Sequence, residues 1–68
     1  MQKLEIETLN PGALIVWKDK DTGILCNIEG SRGFKCFRFM WESKKYSTVE
    51  TENTLLSKSF VLVANADP

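Results

Sequence analysis

The stretch Gly33-Phe34-Lys35-Cys36-Phe37-Arg38-Phe39-Met40-Trp41 constrains this chain more than any other. It holds three of the four phenylalanines, one of the two tryptophans and one of the two cysteines. Read at period two, Phe37, Phe39 and Trp41 share one face with Lys35 at its start, and Phe34, Cys36, Arg38 and Met40 share the other. Both faces are mostly apolar. Such a strand is either covered on two sides, or covered on one and set against a partner on the other.

The rest of the chain reads as short strands separated by turns. Lys3 to Thr8 alternates, with Leu4 and Ile6 on one side, which predicts a half-buried strand or an extended arm. Asn10-Pro11-Gly12 breaks it: Pro11 presets φ for the first central turn position, and Gly12 accepts the positive φ of a type II turn. Ala13 to Lys18 is the next strand, rich in the β-preferring Ile15, Val16 and Trp17. Asp19 to Gly23 reads as a charged hairpin loop closed by glycine, and Ile24 to Glu29 as a strand. Gly30 to Gly33 is a tight turn into the aromatic stretch, and Glu42 to Lys45 a polar turn out of it. Tyr46 to Thr51 is a strand. Thr51 to Ser57 carries capping residues before Leu55 and Leu56 and predicts one helical turn. Phe60 to Ala64 is the last strand, and Asn65 to Pro68 a frayed tail.

A meander of five short strands with a helical turn before the last resembles the small SH3-like barrel, of the Tudor or KOW kind. The resemblance covers residues 10–64. It rests on element order and on the pattern Val16-Trp17, five residues, then Gly23-Ile24-Leu25. The expected fold class is therefore all-β: a five-stranded SH3-like barrel over 10–64, an N-terminal strand or extended arm over 1–9, and a flexible tail over 65–68. An OB-fold is the nearest competitor, but it places a full helix between its third and fourth strands, where only four residues lie here. A twisted antiparallel sheet that dimerises through one face is the third option.

Sixty-eight residues make one small domain, and 43% apolar residues suffice for one core. The apolar positions outnumber what so small a barrel encloses, so an exposed apolar patch is expected. Nine basic residues balance nine acidic ones. The distribution is uneven: residues 31–46 carry Arg32, Lys35, Arg38, Lys44 and Lys45 against Glu42, a net of +4, while the segments on either side are each net −2. The aromatic stretch thus lies within the basic third. Apolar runs reach only about five residues, too short to span a bilayer. No export signal is read at the start, and two cysteines without one point to a reducing cytosol.

Catalysis is not expected. The chain has no histidine, which removes the commonest general base and metal ligand. Its serines lack a base, and its acidic residues are spread over turns and strand exteriors. No cofactor or metal is expected. Cys26 and Cys36 are expected roughly opposite one another across the hairpin at Gly30 to Gly33, as small buried hydrophobes. The segment Arg32 to Phe39 echoes the RNP1 motif of RNA-recognition domains at Arg32, Gly33, Phe34 and Phe39, but Lys35, Cys36 and Phe37 depart from it. What survives is composition: an aromatic strand flanked by cations suits base stacking, and the alternative is that Phe37, Phe39 and Trp41 simply fill the core. Trp17, Tyr46 and Trp41 are also candidates for an aromatic cage around a methylated amine, as in Tudor-type barrels.

Two function classes follow. The first is a non-enzymatic interaction module that docks on a larger protein through Arg32, Lys35, Arg38, Trp41, Lys44, Lys45, Trp17 and Tyr46, aromatics anchoring and arginines pairing with acidic groups. Its small size and lack of chemistry suit a phage or mobile-element protein that inhibits a host complex. The second is single-stranded DNA or RNA binding by the basic aromatic face. Homodimerisation through the surplus apolar face is a third mode, and no membrane partner is expected.

Overall fold

The structure is a computed structural model that describes residues 1–31, 33–43 and 46–68. The chain is mostly β. Helix α1 spans Lys3–Glu7. Strands β1 (Leu14–Trp17), β2 (Asp21–Ser31), β3 (Phe34–Trp41) and β4 (Ser47–Thr51) follow as a meander. Helix α2 (Glu52–Leu55) then leads to β5 (Phe60–Ala64). All pairings are antiparallel, and the five strands form one open sheet in the order β4-β3-β2-β1-β5. Strand β3 is interior to this sheet, with β2 and β4 on either side. Among the described residues no helix is long and apolar enough to cross a membrane.

The N-terminal segment departs from expectation. It is a helical turn, not a strand or extended arm. In a strand Leu4 and Ile6 would share a face. In the helix they diverge, and Ile6 pairs in spacing with Leu9. Ile6 and Leu9 are buried and Leu4 is exposed. The Glu5 side chain accepts the Gln2 N–H at 2.8 Å, satisfying one of the donors that a helix start leaves open. The Met1 amine donates to the carbonyls of Ser57 and Phe60 and so fixes the segment near the start of β5.

The hairpin loops are shorter than the composition suggested. Asp21, Thr22 and Gly23 belong to β2 and pair with Trp17, Val16 and Ile15. The loop is Lys18 to Lys20, with Lys18 and Asp19 both at positive φ and the Lys20 N–H returning to the Trp17 carbonyl. Consecutive left-handed residues match the twist of a β-hairpin. Gly30 likewise sits in β2, opposite Lys35, and Ser31 pairs with Phe34. The turn at Asn10 to Ala13 is as expected: Gly12 has φ +102°, and the Ala13 N–H returns to the Asn10 carbonyl.

The register of β2 against β3 shifts at Cys26. Leu25 faces Phe39 and Asn27 faces Arg38, so Cys26 is the extra residue of a β-bulge. Cys36 pairs with Glu29, and the two thiols do not face each other. Cys26 is exposed and Cys36 half-buried, so neither is the buried hydrophobe expected. The bulge has a packing purpose. Cys26 and Asn27 both lie exposed, which lets Leu25 be buried and Ile28 pack partly against the core three residues later.

The inward face of the sheet carries Ile15, Leu25, Phe37, Phe39, Trp41 and Phe60, covered by Ile6, Leu9 and Leu55. Thr51 caps α2, accepting the Thr54 N–H at 3.3 Å. The outward face carries the row Leu14, Ile24 and Met40, directly paired across β1, β2 and β3 and all exposed, with Val61 also exposed on β5. This is the surplus of apolar side chains that the core cannot hold. The expected tail is tied at its start: Asn65 donates to the Thr8 carbonyl at 2.7 Å, and Asn10 donates to the Ala66 carbonyl at 2.9 Å.

Candidate functional site

Five chain segments reach the same end of the sheet: the close of β1 and β3, the opening of β2 and β5, and the residue before β4. Alternation sends their terminal side chains to the inward face, where a cleft of about 150 Å³ is lined by Trp17, Asp21, Trp41, Tyr46, Thr48, Glu50 and Phe60. Residues from both edge strands, β4 and β5, line it, so the sheet must curl to bring them together.

The rings form one wall. Trp17, Trp41 and Phe60 stand with centroids 6.3–6.4 Å apart, at the tilts common among packed aromatics. Phe39 extends the wall behind Trp41 at 5.9 Å. Trp41 and Phe60 are buried, Trp17 is half-buried, and Tyr46 is the most open of the four cleft rings at 46% exposure. Outside the wall, the Lys18 ammonium lies 4.6 Å from the centre of a Trp17 ring, a cation–π contact.

Gly23 makes the wall possible. It pairs with Trp41, and a Cβ placed on it would stand 2.8 Å from two carbons of the indole. The ring therefore lies over bare backbone. Gly23 is a packing surface for Trp41, not the loop closure its sequence context suggested.

Two carboxylates face the rings, each oriented by hydrogen bonds. Asp21, buried, accepts the Ser43 N–H at 3.2 Å and the Ser43 hydroxyl at 2.7 Å. Glu50 accepts the Thr48 hydroxyl at 2.8 Å, and Thr48 in turn accepts the Trp41 indole N–H at 2.6 Å. The chain Trp41–Thr48–Glu50 fixes ring and carboxylate relative to one another. Neither acid belonged to a paired arrangement in the sequence, and the fold brings both to one cleft. Aromatic faces and carboxylates together make an environment for a cation.

The residues singled out from the sequence divide. Trp17, Trp41 and Tyr46 converge on the cleft. Arg38 is on the outward face, 40% exposed, paired with Glu29 at 3.2 Å and donating to the Ser47 hydroxyl at 3.3 Å. Lys35 is exposed at the opposite end of β3 and borders a polar groove with Lys3, Glu7 and Glu52. Arg32, Lys44 and Lys45 lie outside the described residues. The expected single face of aromatics and cations is thus not formed by the described members: the rings and Arg38 sit on opposite sides of the sheet. Phe37 and Phe39 are buried in the core, which leaves neither ring open to a stacking partner.

Asp21, Thr48, Glu50 and Phe60 escaped the sequence reading. For β4 the signal was present, since Tyr46, Thr48 and Glu50 share one period-two face. For Asp21 there was none, because a charged residue beside Lys20 and Thr22 reads as a turn. No known protein family, curated protein or solved structure matches this chain.

Proposed function

We propose that this chain is a non-enzymatic interaction module, a curled sheet of SH3-like barrel architecture, that docks on a larger protein by its aromatic cleft. The observation that carries this reading is the convergence of Trp17, Trp41 and Tyr46, remote in sequence, on one partly open cleft with Phe60. Aromatic side chains in a concave, partly desolvated setting are what protein interfaces use as anchoring positions. The strand order supports the architecture: a meander β1 to β4 with β5 returning beside β1 leaves β4 and β5 as the edges, and both contribute to the cleft.

Direct binding of single-stranded nucleic acid has less to stand on. Its stacking platform would need exposed rings beside unpaired cations. Phe37 and Phe39 are core, and Arg38 is neutralised by Glu29.

The test is capture of partners by the immobilised protein, comparing wild type with Tyr46→Ala and Arg38→Glu. Both positions are substantially exposed, so both variants should fold. Docking through the cleft means that Tyr46→Ala loses the captured protein and Arg38→Glu keeps it. Loss with Arg38→Glu alone would move the interface to the outward face. Oligonucleotide affinity that persists at physiological salt would replace the protein reading with the nucleic-acid one, since phosphate contacts alone fade steeply with salt.

A further inference from the structure

We propose that the outward face of the sheet packs against the same face of a second copy of this chain. The two β3 strands run antiparallel across a twofold axis, so that Arg38 of each copy meets Glu42 of the other. The aromatic cleft lies on the opposite side of the sheet and takes no part.

An antiparallel sheet with one side in water alternates apolar inside and polar outside. The outward positions of this sheet do so over only part of the face. Ala64, Leu14, Ile24, Met40 and Ser47 form one row paired across all five strands, and Val61, Val16 and Thr22 form the next. Only Ser47 and Thr22 in these two rows are polar. Leu14, Ile24, Met40 and Val61 are 36–51% exposed. A contiguous exposed apolar patch of this kind marks a surface that another molecule covers. Further along β2 and β3 the face turns polar, with Asn27, Glu29 and Arg38.

Charge selects the molecule. Arg38, Met40 and Glu42 follow one another at period two along β3 and its continuation. Glu42 lines an outward groove of about 280 Å³ together with Leu14, Ile24 and Met40. Its N–H donates to the Thr22 carbonyl at 2.9 Å, which carries the pairing with β2 one residue past the strand end. The outward side of β3 therefore reads cation, apolar, anion, and that order is complementary to its own reverse. With a twofold axis along the Leu14–Ile24–Met40 row, the row meets itself, Arg38 lies over Glu42 of the other copy, and Thr22 lies over Asn27 of the other copy. This is the reciprocity that a symmetric dimer interface requires. Among the described residues no cation pairs with Glu42. Arg38 donates from Nε to Glu29 and from Nη1 to Ser47, and a guanidinium has five N–H donors to give. The nine cations and nine anions of the chain balance, so two copies approach without net repulsion. A strongly acidic or basic partner finds no single-sign field to match on this face.

Sheets stack face to face about 10 Å apart, with strands within about 30° of one another. Five strands about 4.8 Å apart make a face about 20 Å wide. The covered area falls at the low end for specific interfaces, about 600 Å² per copy. The dimer is accordingly weak and concentration-dependent, and its two clefts face away from each other, each open to a docked protein.

Sedimentation equilibrium of the whole chain tests this, from about 1 μM to about 1 mM, the range in which a weak dimer assembles. Wild type should pass from monomer to dimer. Ile24→Glu, at the centre of the row, should stay monomeric throughout. Arg38→Glu and Glu42→Arg should each weaken association about tenfold, because each reversal acts twice across the axis and surface pairs are worth up to about 1 kcal/mol. The double exchange, Arg38→Glu with Glu42→Arg, restores the reversed pattern and should recover most of the lost affinity. The two-dimensional amide spectrum of each variant reports its fold; if Ile24→Glu does not fold, the charge exchange decides alone. A wild type that remains monomeric to the top of the range, or a folded Ile24→Glu that dimerises like wild type, would overturn the proposal. So would a double exchange no better than the single reversals, since the antiparallel stacking of β3 demands the rescue. Partner capture that depends on Tyr46 is a separate result and can stand whichever way the dimer is decided.

Discussion

Single residues decide where the rings go. Gly23 is the clearest: its missing Cβ is the space the Trp41 indole occupies. Gly23→Ala puts a methyl inside van der Waals distance of the ring, and overpacking of this kind costs about 1–3 kcal/mol. The expected result is a lower urea midpoint together with altered tryptophan emission, because the displaced indole belongs to the cleft. Wild-type values for both would mean that Trp41 does not lie over this backbone. Asp19 offers the opposite sign. It holds φ +55° next to Lys18 at +54°, a region disfavoured for side chains other than glycine, though least so for Asn and Asp. Asp19→Gly relieves that conformation against glycine's own entropy cost, for a net gain of about 0.5 kcal/mol. Thermal unfolding at constant pH measures it, and a loss of stability would show that Asp19 makes a contact worth more than the strain.

At the level of elements, the strands were legible and their ends were not. Phe60–Ala64 is bounded as read, and β1, β3 and β4 lie within a residue or two of expectation. Strand β2 runs from Asp21 to Ser31, longer at both ends, because pairing partners on β1 and β3 recruit polar and glycine residues that have no strand preference of their own. The bulge at Cys26 is similar. Strict alternation would set Ile24, Cys26 and Ile28 on one face; the extra residue separates Ile28 from the other two and turns it toward the core. Helix α2 is short, and it depends on its cap. Thr51→Ala removes the acceptor for the Thr54 N–H and should cost about 1 kcal/mol, read from the shift in urea midpoint at unchanged slope. An unchanged midpoint would mean that packing of Leu55 alone holds the turn. Glu50, facing inward on the edge strand β4, also blunts that edge against pairing with another chain.

On the scale of the whole molecule, the core is small and concentrated. A chain of this length has a stability of roughly 3–10 kcal/mol. Truncating a fully buried phenylalanine costs about 3–5 kcal/mol. Phe39→Ala, at the centre of β3 and fully buried, should therefore remove most or all of the folded population, seen as collapse of amide dispersion. Phe34→Ala, at 59% exposure on the same strand, should stay within about 0.5 kcal/mol of wild type. Equal effects at both positions would contradict the assignment of faces. The outward row Leu14, Ile24 and Met40 shows how little interior there is: apolar residues are spent on the outside of a sheet that has only one covered face.

What the sequence determined by itself is the local part. Alternation set the strands, Pro11-Gly12 set the first turn, Thr51 set the helix start, and the spacing of Phe37, Phe39 and Trp41 put them on one face, because each of these depends only on neighbours in the chain. Tertiary structure alone decided which face of Phe34–Trp41 is inside. Lys35 begins the inward side and Arg38 sits on the outward one, and either reading was consistent with the pattern until Ile6, Leu9 and Leu55 covered one side. It also decided that the N-terminal segment is a helix, since Ile6 and Leu9 need a shared surface to bury, and that surface exists only once the core cluster is assembled. Above all it assembled the cleft. Trp17, Asp21, Trp41, Tyr46 and Phe60 come from five segments of the chain, and nothing local records that antiparallel pairing returns each of them to the same end of one curled sheet.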